Sequence, residues 1–156
     1  MQESTFKRTT RDERQEECRV KWIKNKCRGT IVGATGFGKT RVGLNCIKTV
    51  LKKYPSIKVI VIVPTTALKE QWLGLLDLNG LSLNCEVLVV NTAIKGLYEC
   101  DIMVIDEIHR VAADTLKHVF ETVNYKYILG LTATFERLDG KHELLKKYCP
   151  VIDEIT

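Results

Sequence analysis

Gly33-Ala34-Thr35-Gly36-Phe37-Gly38-Lys39-Thr40 stands directly behind the apolar run Thr30-Ile31-Val32 and ahead of a stretch with helical periodicity. Glycines at this spacing let the backbone turn with positive φ and aim successive N–H groups at phosphate oxygens, a path that a Cβ resists. Lys39 then supplies a point charge for β- and γ-phosphates, and Thr40 a hydroxyl for Mg²⁺. The helix beginning near Gly38 adds the positive end of its dipole. A glycine-rich turn that binds nothing is the competing reading, and the Lys-Thr pair between a strand and a helix argues against it. The chemistry implied is the binding of a nucleoside triphosphate by a P-loop.

A second constellation follows the run Asp101-Ile102-Met103-Val104-Ile105, which ends in Asp106-Glu107-Ile108-His109. Carboxylates at the end of a buried strand project into the crevice that also receives the phosphate loop. Asp106 can hold Mg²⁺, and Glu107 can orient or deprotonate the water that attacks the γ-phosphate in line with its leaving group. An acidic pair at a strand end can also cap a helix. The phosphate loop upstream favours the metal-and-water reading.

Placing these groups requires alternating strands and helices. Asp12 to Lys26 reads as a helix with Val20, Trp22 and Ile23 toward the core, and residues 1–10 are polar and expected to be mobile. A second helix runs from Arg41 to about Tyr54, with Val42, Cys46 and Val50 at i+4 spacing and Pro55 closing it. Lys58 to Val63 is a β-branched run of the kind covered on both faces in a parallel sheet. Thr65 to Leu76 reads as a helix, Glu86 to Val90 and Ile102 to Ile105 as strands, Ala113 to Val123 as a helix, and Tyr127 to Leu131 as a strand. Short loops between such units imply right-handed βαβ crossovers, with ligands gathered beyond the carboxyl ends of the strands.

The chain resembles the superfamily 2 helicases and translocases through Gly33–Thr40 (motif I) and Asp106–His109 (motif II), in matching order and spacing. Thr132-Ala133-Thr134 looks like motif III, which in that family couples the nucleotide site to the nucleic-acid track. The segment from Pro64 through Thr65 and Thr66 to Trp72 looks like motif Ia, whose first residues contact a strand's phosphates. Val90-Asn91-Thr92 is a weaker match to the next strand-contacting segment. His109 fits the family's coupling position. Gln15 stands where the family places an adenine-reading glutamine; a carboxamide can donate to N7 and accept from the N6 amine of adenine.

The resemblance implies an α/β, three-layer, RecA-like P-loop NTPase domain over residues 11–156, with a predominantly parallel sheet. It implies ATP and Mg²⁺ as ligands and nucleic acid as partner. The segments T-G-F-G-K-T, P-T-T-A-L-K-E-Q-W and L-T-A-T-F-E-R look like the repair, phage and restriction-motor branch, which favours DNA, with RNA second. The family completes its ATP cleft with a second lobe carrying an arginine finger. No matching segment is found in these residues, so they look like the amino-terminal lobe of a longer chain, expected to bind nucleotide but hydrolyse it poorly. Pro150 to Thr156 then reads as the approach to that lobe. A nucleotide-binding or partner-docking module is the alternative of another class. A small-molecule kinase is disfavoured because Glu107 and His109 suit water activation and coupling.

Ordinary roles compete for several of these residues. Thr65 and Thr66 can cap the following helix, Thr132 and Thr134 can satisfy backbone groups at a strand end, and Gln15 can be solvated. Trp22 and Trp72 suit core anchoring better than base stacking. At 156 residues, 45% hydrophobic and 28% charged, the chain has the size of one globular domain. Its 24 Lys and Arg against 19 Asp and Glu give a net charge of +5, which permits contact with a polyanion, and Arg19–Arg28 is the leading cluster for it. Six cysteines at irregular intervals give neither a C-x-x-C pair nor a metal-ligand pattern, so buried thiols in a reducing cytoplasmic or nucleoid setting are expected. No long apolar span marks a membrane.

Overall fold

The computed structural model describes residues 2–33, 38–133 and 140–155. Its centre is a six-stranded parallel sheet in the order β3-β2-β5-β7-β1-β8. These strands are β1 (Arg28–Gly33), β2 (Val59–Val63), β3 (Cys85–Val89), β5 (Ile102–Ile105), β7 (Tyr127–Thr132) and β8 (Val151–Ile155). Strands β4 (Tyr98–Glu99) and β6 (Val123–Asn124) form a separate two-stranded parallel pair. The helices are α1 (Gln2–Lys24), α2 (Lys39–Lys53), α3 (Thr66–Leu78), α4 (Val90–Ala93), α5 (Ala113–Thr122) and α6 (His142–Tyr148).

The period-two alternation of a strand divides the core into two halves. Val59, Val61 and Val63 of β2, with Ile102 and Val104 of β5, pack on one face with Trp22, Val42, Cys46, Val50 and Trp72 from α1, α2 and α3. Ile60, Ile62, Met103 and Ile105 pack on the other with Ala93, Leu116, Val119 and Leu145 from α4, α5 and α6. All five residues of β2 and all four of β5 are buried, as a strand covered on both faces requires. The result is the three-layer α/β domain expected from the sequence.

Helix α1 begins at Gln2 rather than Asp12. No glycine or proline interrupts residues 2–24, and nothing in that polar sequence breaks a helix. Pro150 to Thr156, read as the approach to a second lobe, contributes strand β8, paired parallel to β1 from Thr30↔Val151 to Gly33↔Ile155. Glycine at position 29 permits this close approach, because a Cβ there would lie 2.6 Å from the Ile152 side chain. Asp153 of β8 is buried and meets Lys21 of α1 at 3.1 Å, fastening that helix to the sheet edge.

Four cysteines, Cys18, Cys46, Cys100 and Cys149, are buried, while Cys27 and Cys85 are half-buried. Burial pushes the Cys18 and Cys100 thiols up to about 12 and Cys85 up to about 11. They are neutral, inert groups at physiological pH.

Candidate functional site

Strands β1 and β5 are separated in the sheet only by β7, so Gly33 at the carboxyl end of β1 and Asp106 beyond that of β5 lie at the same end of the sheet. Gly33 ends β1 and is buried. Ala34, Thr35, Gly36 and Phe37 lie outside the described residues, as does Thr134. Gly38 caps α2 in the left-handed region, φ 88° and ψ 43°, where glycine avoids the steric penalty of a Cβ. Lys39 and Thr40 are the first two residues of α2 and are half-buried. The amino end of a fifteen-residue helix thus opens directly behind the loop, with its N–H groups toward the crevice.

Asp106 follows β5 and is 4% exposed. Its backbone N–H continues the ladder to the Ile62 carbonyl at 2.9 Å. One carboxylate oxygen accepts the Trp72 indole N–H at 2.8 Å, and the other accepts the Glu107 backbone N–H at 2.9 Å. Burial raises the Asp106 pKa, with the Glu107 charge adding to the rise; the Trp72 hydrogen bond, the Glu107 N–H and the Lys39 charge oppose it.

Glu107 lies at φ 56° and ψ 46°, a left-handed conformation that L residues with a full side chain seldom adopt. The turn redirects the chain from β5 into the 3₁₀ segment Ile108–Arg110, burying Ile108. His109 stands between motifs: its Nε2 is 3.0 Å from the Glu107 carboxylate and its Nδ1 is 2.9 Å from Thr132 Oγ1. The Ala133 backbone N–H also donates to Nδ1, at 3.4 Å. Because that N–H can only donate, Nδ1 is the accepting nitrogen, the Thr132 hydroxyl donates to it, and Nε2–H donates to Glu107. His109 therefore joins the acidic turn after β5 to the end of β7.

The donor set suits Mg²⁺. This small, hard ion takes oxygen ligands and binds through one or two carboxylates together with phosphates and waters. Asp106 offers a carboxylate and Thr40 a hydroxyl. Among the described residues no group of three or more His, Cys, Asp or Glu side chains could cage a metal.

Thr65 caps α3, its Oγ1 accepting the Leu68 N–H at 3.2 Å with φ −136° and ψ 157°. The capping role weighed for it is realised. Thr66 is exposed on the first turn of α3, and Thr92 is exposed in α4, a short turn that the sequence pattern did not reveal. The three threonines follow β2 and β3, at the same end of the sheet as the phosphate and acidic segments. Gln15 is not solvated: it is 9% exposed, on the inward stripe of α1 that also carries Cys18 and Trp22. The basic run is partly consumed by internal contacts. Arg19 pairs with Glu16 and reaches Thr49, Lys21 meets Asp153, and Arg28 donates to the Tyr148 carbonyl.

The hydrogen bond from Trp72 to Asp106 is the feature of the site that the sequence did not announce. Its only signal is that a buried indole N–H needs an acceptor.

Comparison with known proteins agrees with this fold. The family described as type III restriction enzyme, res subunit, matches residues 1–91 and 91–137. A DNA 3'-5' translocase, XPB2 of Sulfurisphaera tokodaii, is 32% identical over 150 residues, covering 83% of this chain and 32% of that protein. An African swine fever virus protein named as an ATP-dependent RNA helicase is 29% identical over 136 residues, covering 71% of this chain and 26% of the viral protein. The crystal structure of the UvsW helicase from bacteriophage T4 superposes with a TM-score of 0.67 at 18% identity, covering 81% of this chain and 54% of that one. The chain thus spans a third or less of the curated relatives it matches.

Proposed function

This chain belongs to the family of the type III restriction enzyme res subunit, as the amino-terminal RecA-like lobe of a superfamily 2 helicase or translocase, and from that membership we propose that it binds Mg·ATP and drives movement on DNA. The observation that carries the reading is the shared crevice. Lys39 and Thr40 open a helix behind left-handed Gly38, and Asp106 and Glu107 face the same sheet end with His109 bound to Thr132. Lys39, with the backbone N–H groups of Gly33 through Thr40, holds the phosphates, and Thr40 and Asp106 hold Mg²⁺, which neutralises charge on the β- and γ-oxygens when bound. Glu107 accepts a proton from the attacking water. His109 carries the state of that carboxylate to Thr132 and Ala133, and Thr134 extends the coupling segment. Gln15 reads adenine, and Thr65, Thr66 and Thr92 track phosphates along the threonine edge.

The printed name of the S. tokodaii relative supports DNA, and that of the viral relative keeps RNA as the second reading. Calorimetry with Mg·ATP tests the nucleotide site: Lys39→Ala is expected to weaken binding markedly while the fold is retained by circular dichroism. Unchanged affinity in a folded variant would sink the assignment. Anisotropy titrations with duplex DNA, single-stranded DNA and RNA then rank the partners.

A further inference from the structure

Trp72 is 1% exposed and lies seven positions beyond the Thr65 cap, on the face of α3 turned to the sheet. Its ring packs on α2, where a Cβ added to Gly43 would lie 3.1 Å from Cη2. Its Nε1–H donates to Asp106 at 2.8 Å. One rigid indole therefore touches the helix that opens with Lys39 and Thr40 and also the acidic group that ends β5. Core packing alone does not require this choice of acceptor: buried Trp22 satisfies its N–H with the Ile128 backbone carbonyl at 2.9 Å.

The Asp106 carboxylate is held at both oxygens, one by Trp72 and one by the Glu107 N–H, so two donors fix the plane of the group. An ionised carboxylate offers about four acceptor positions, and two remain for metal-bound waters or the metal itself. Resting on the reading of Asp106 as a Mg²⁺ ligand, we propose that Trp72 is a positioning residue that sets the orientation of the Asp106 carboxylate and links it to α3. The far end of that helix carries Thr65 and Thr66, so one element connects the threonine edge to the metal ligand. Loss of such an outer partner lowers metal affinity about 10–100-fold in other metal sites.

The test is calorimetry of ADP binding across a Mg²⁺ series, comparing wild type with Trp72→Phe, which keeps a ring over Gly43 and removes the donor. The expected result is a rise of about 10–100-fold in the Mg²⁺ needed for half-maximal effect, with binding in excess EDTA unchanged. A folded variant with the wild-type Mg²⁺ dependence overturns the proposal. Wild-type ADP binding that ignores Mg²⁺ would instead remove the metal from Asp106, and the proposal with it. Should Trp72→Phe fail to fold, the indole N–H signals of ¹⁵N-labelled wild type decide. The Trp72 signal is expected to shift in Asp106→Asn and on adding Mg²⁺ to the ADP-bound chain, while the Trp22 signal stays in place. Indifference of the Trp72 signal to both overturns the positioning role.

Discussion

Glu107 meets two demands at one position. Its backbone is held in the left-handed region, at a cost of order 1 kcal/mol, and its carboxylate accepts from His109 Nε2 at 3.0 Å. The side chain is 22% exposed, so a water can reach it. Glu107→Gln keeps the size of the group and an oxygen for the His109 N–H, and removes the proton acceptor. The expected outcome is unchanged Mg·ATP affinity with turnover reduced about 10²–10⁴-fold in the nucleic-acid-stimulated protein. Equilibrium binding and single-turnover phosphate release, measured on the same preparation, check the separation. Wild-type turnover in this variant would assign water activation elsewhere.

At the scale of elements, the site depends on how closely β7 lies between β1 and β5. Gly130 of β7 is the point of contact: an added Cβ would lie 2.5 Å from Thr30 Oγ1 and 2.6 Å from Ile108 Cδ1. Thr30 cannot retreat freely, because its hydroxyl donates to the Cys149 carbonyl at 2.8 Å. Ile108 stands between Glu107 and His109. Gly130→Ala is therefore expected to lower stability by about 1–3 kcal/mol through overpacking and to disturb the acidic turn. Urea denaturation reads the first effect and Mg·ATP turnover the second; full stability would show that Thr30 and Ile108 relax without cost. The strands that carry this arrangement were legible as sequence. β2 and β5 are unbroken apolar runs, and α2 shows its i+4 stripe, because burial on two faces or one leaves a local pattern. Thr65 as a cap was legible because a threonine just before a helical run can accept a hydrogen bond from that helix's first turn. β8 and α4 were not, because β8 owes its place to Gly29 and Asp153 contacts distant in sequence, and α4 is a single turn. The Trp72–Asp106 bond spans 34 positions, which no local periodicity encodes.

At the scale of the whole molecule, Gly33, the acidic turn and the threonine edge all lie at the carboxyl end of one sheet. On the proposed reading, that arrangement would supply one wall for a nucleotide and one side of a nucleic-acid track. The family resemblance assigns the opposing arginine to a second lobe, and a cationic finger of that kind contributes about 10³–10⁵-fold to turnover. These 156 residues by themselves are accordingly expected to bind Mg·ATP and to release phosphate slowly, with little response to DNA. Contacts through hydroxyls, backbone N–H groups and a helix amino terminus would hold DNA weakly, without sequence preference, and lose affinity as salt rises. The measurement is steady-state phosphate release by this chain and by a longer chain that includes a second lobe, each with and without duplex DNA. A difference of about 10³-fold or more in favour of the longer chain is the expected result. Brisk, DNA-stimulated release by the 156 residues would mean that they complete the cleft unaided, and would move the search for the cationic group to their own arginines.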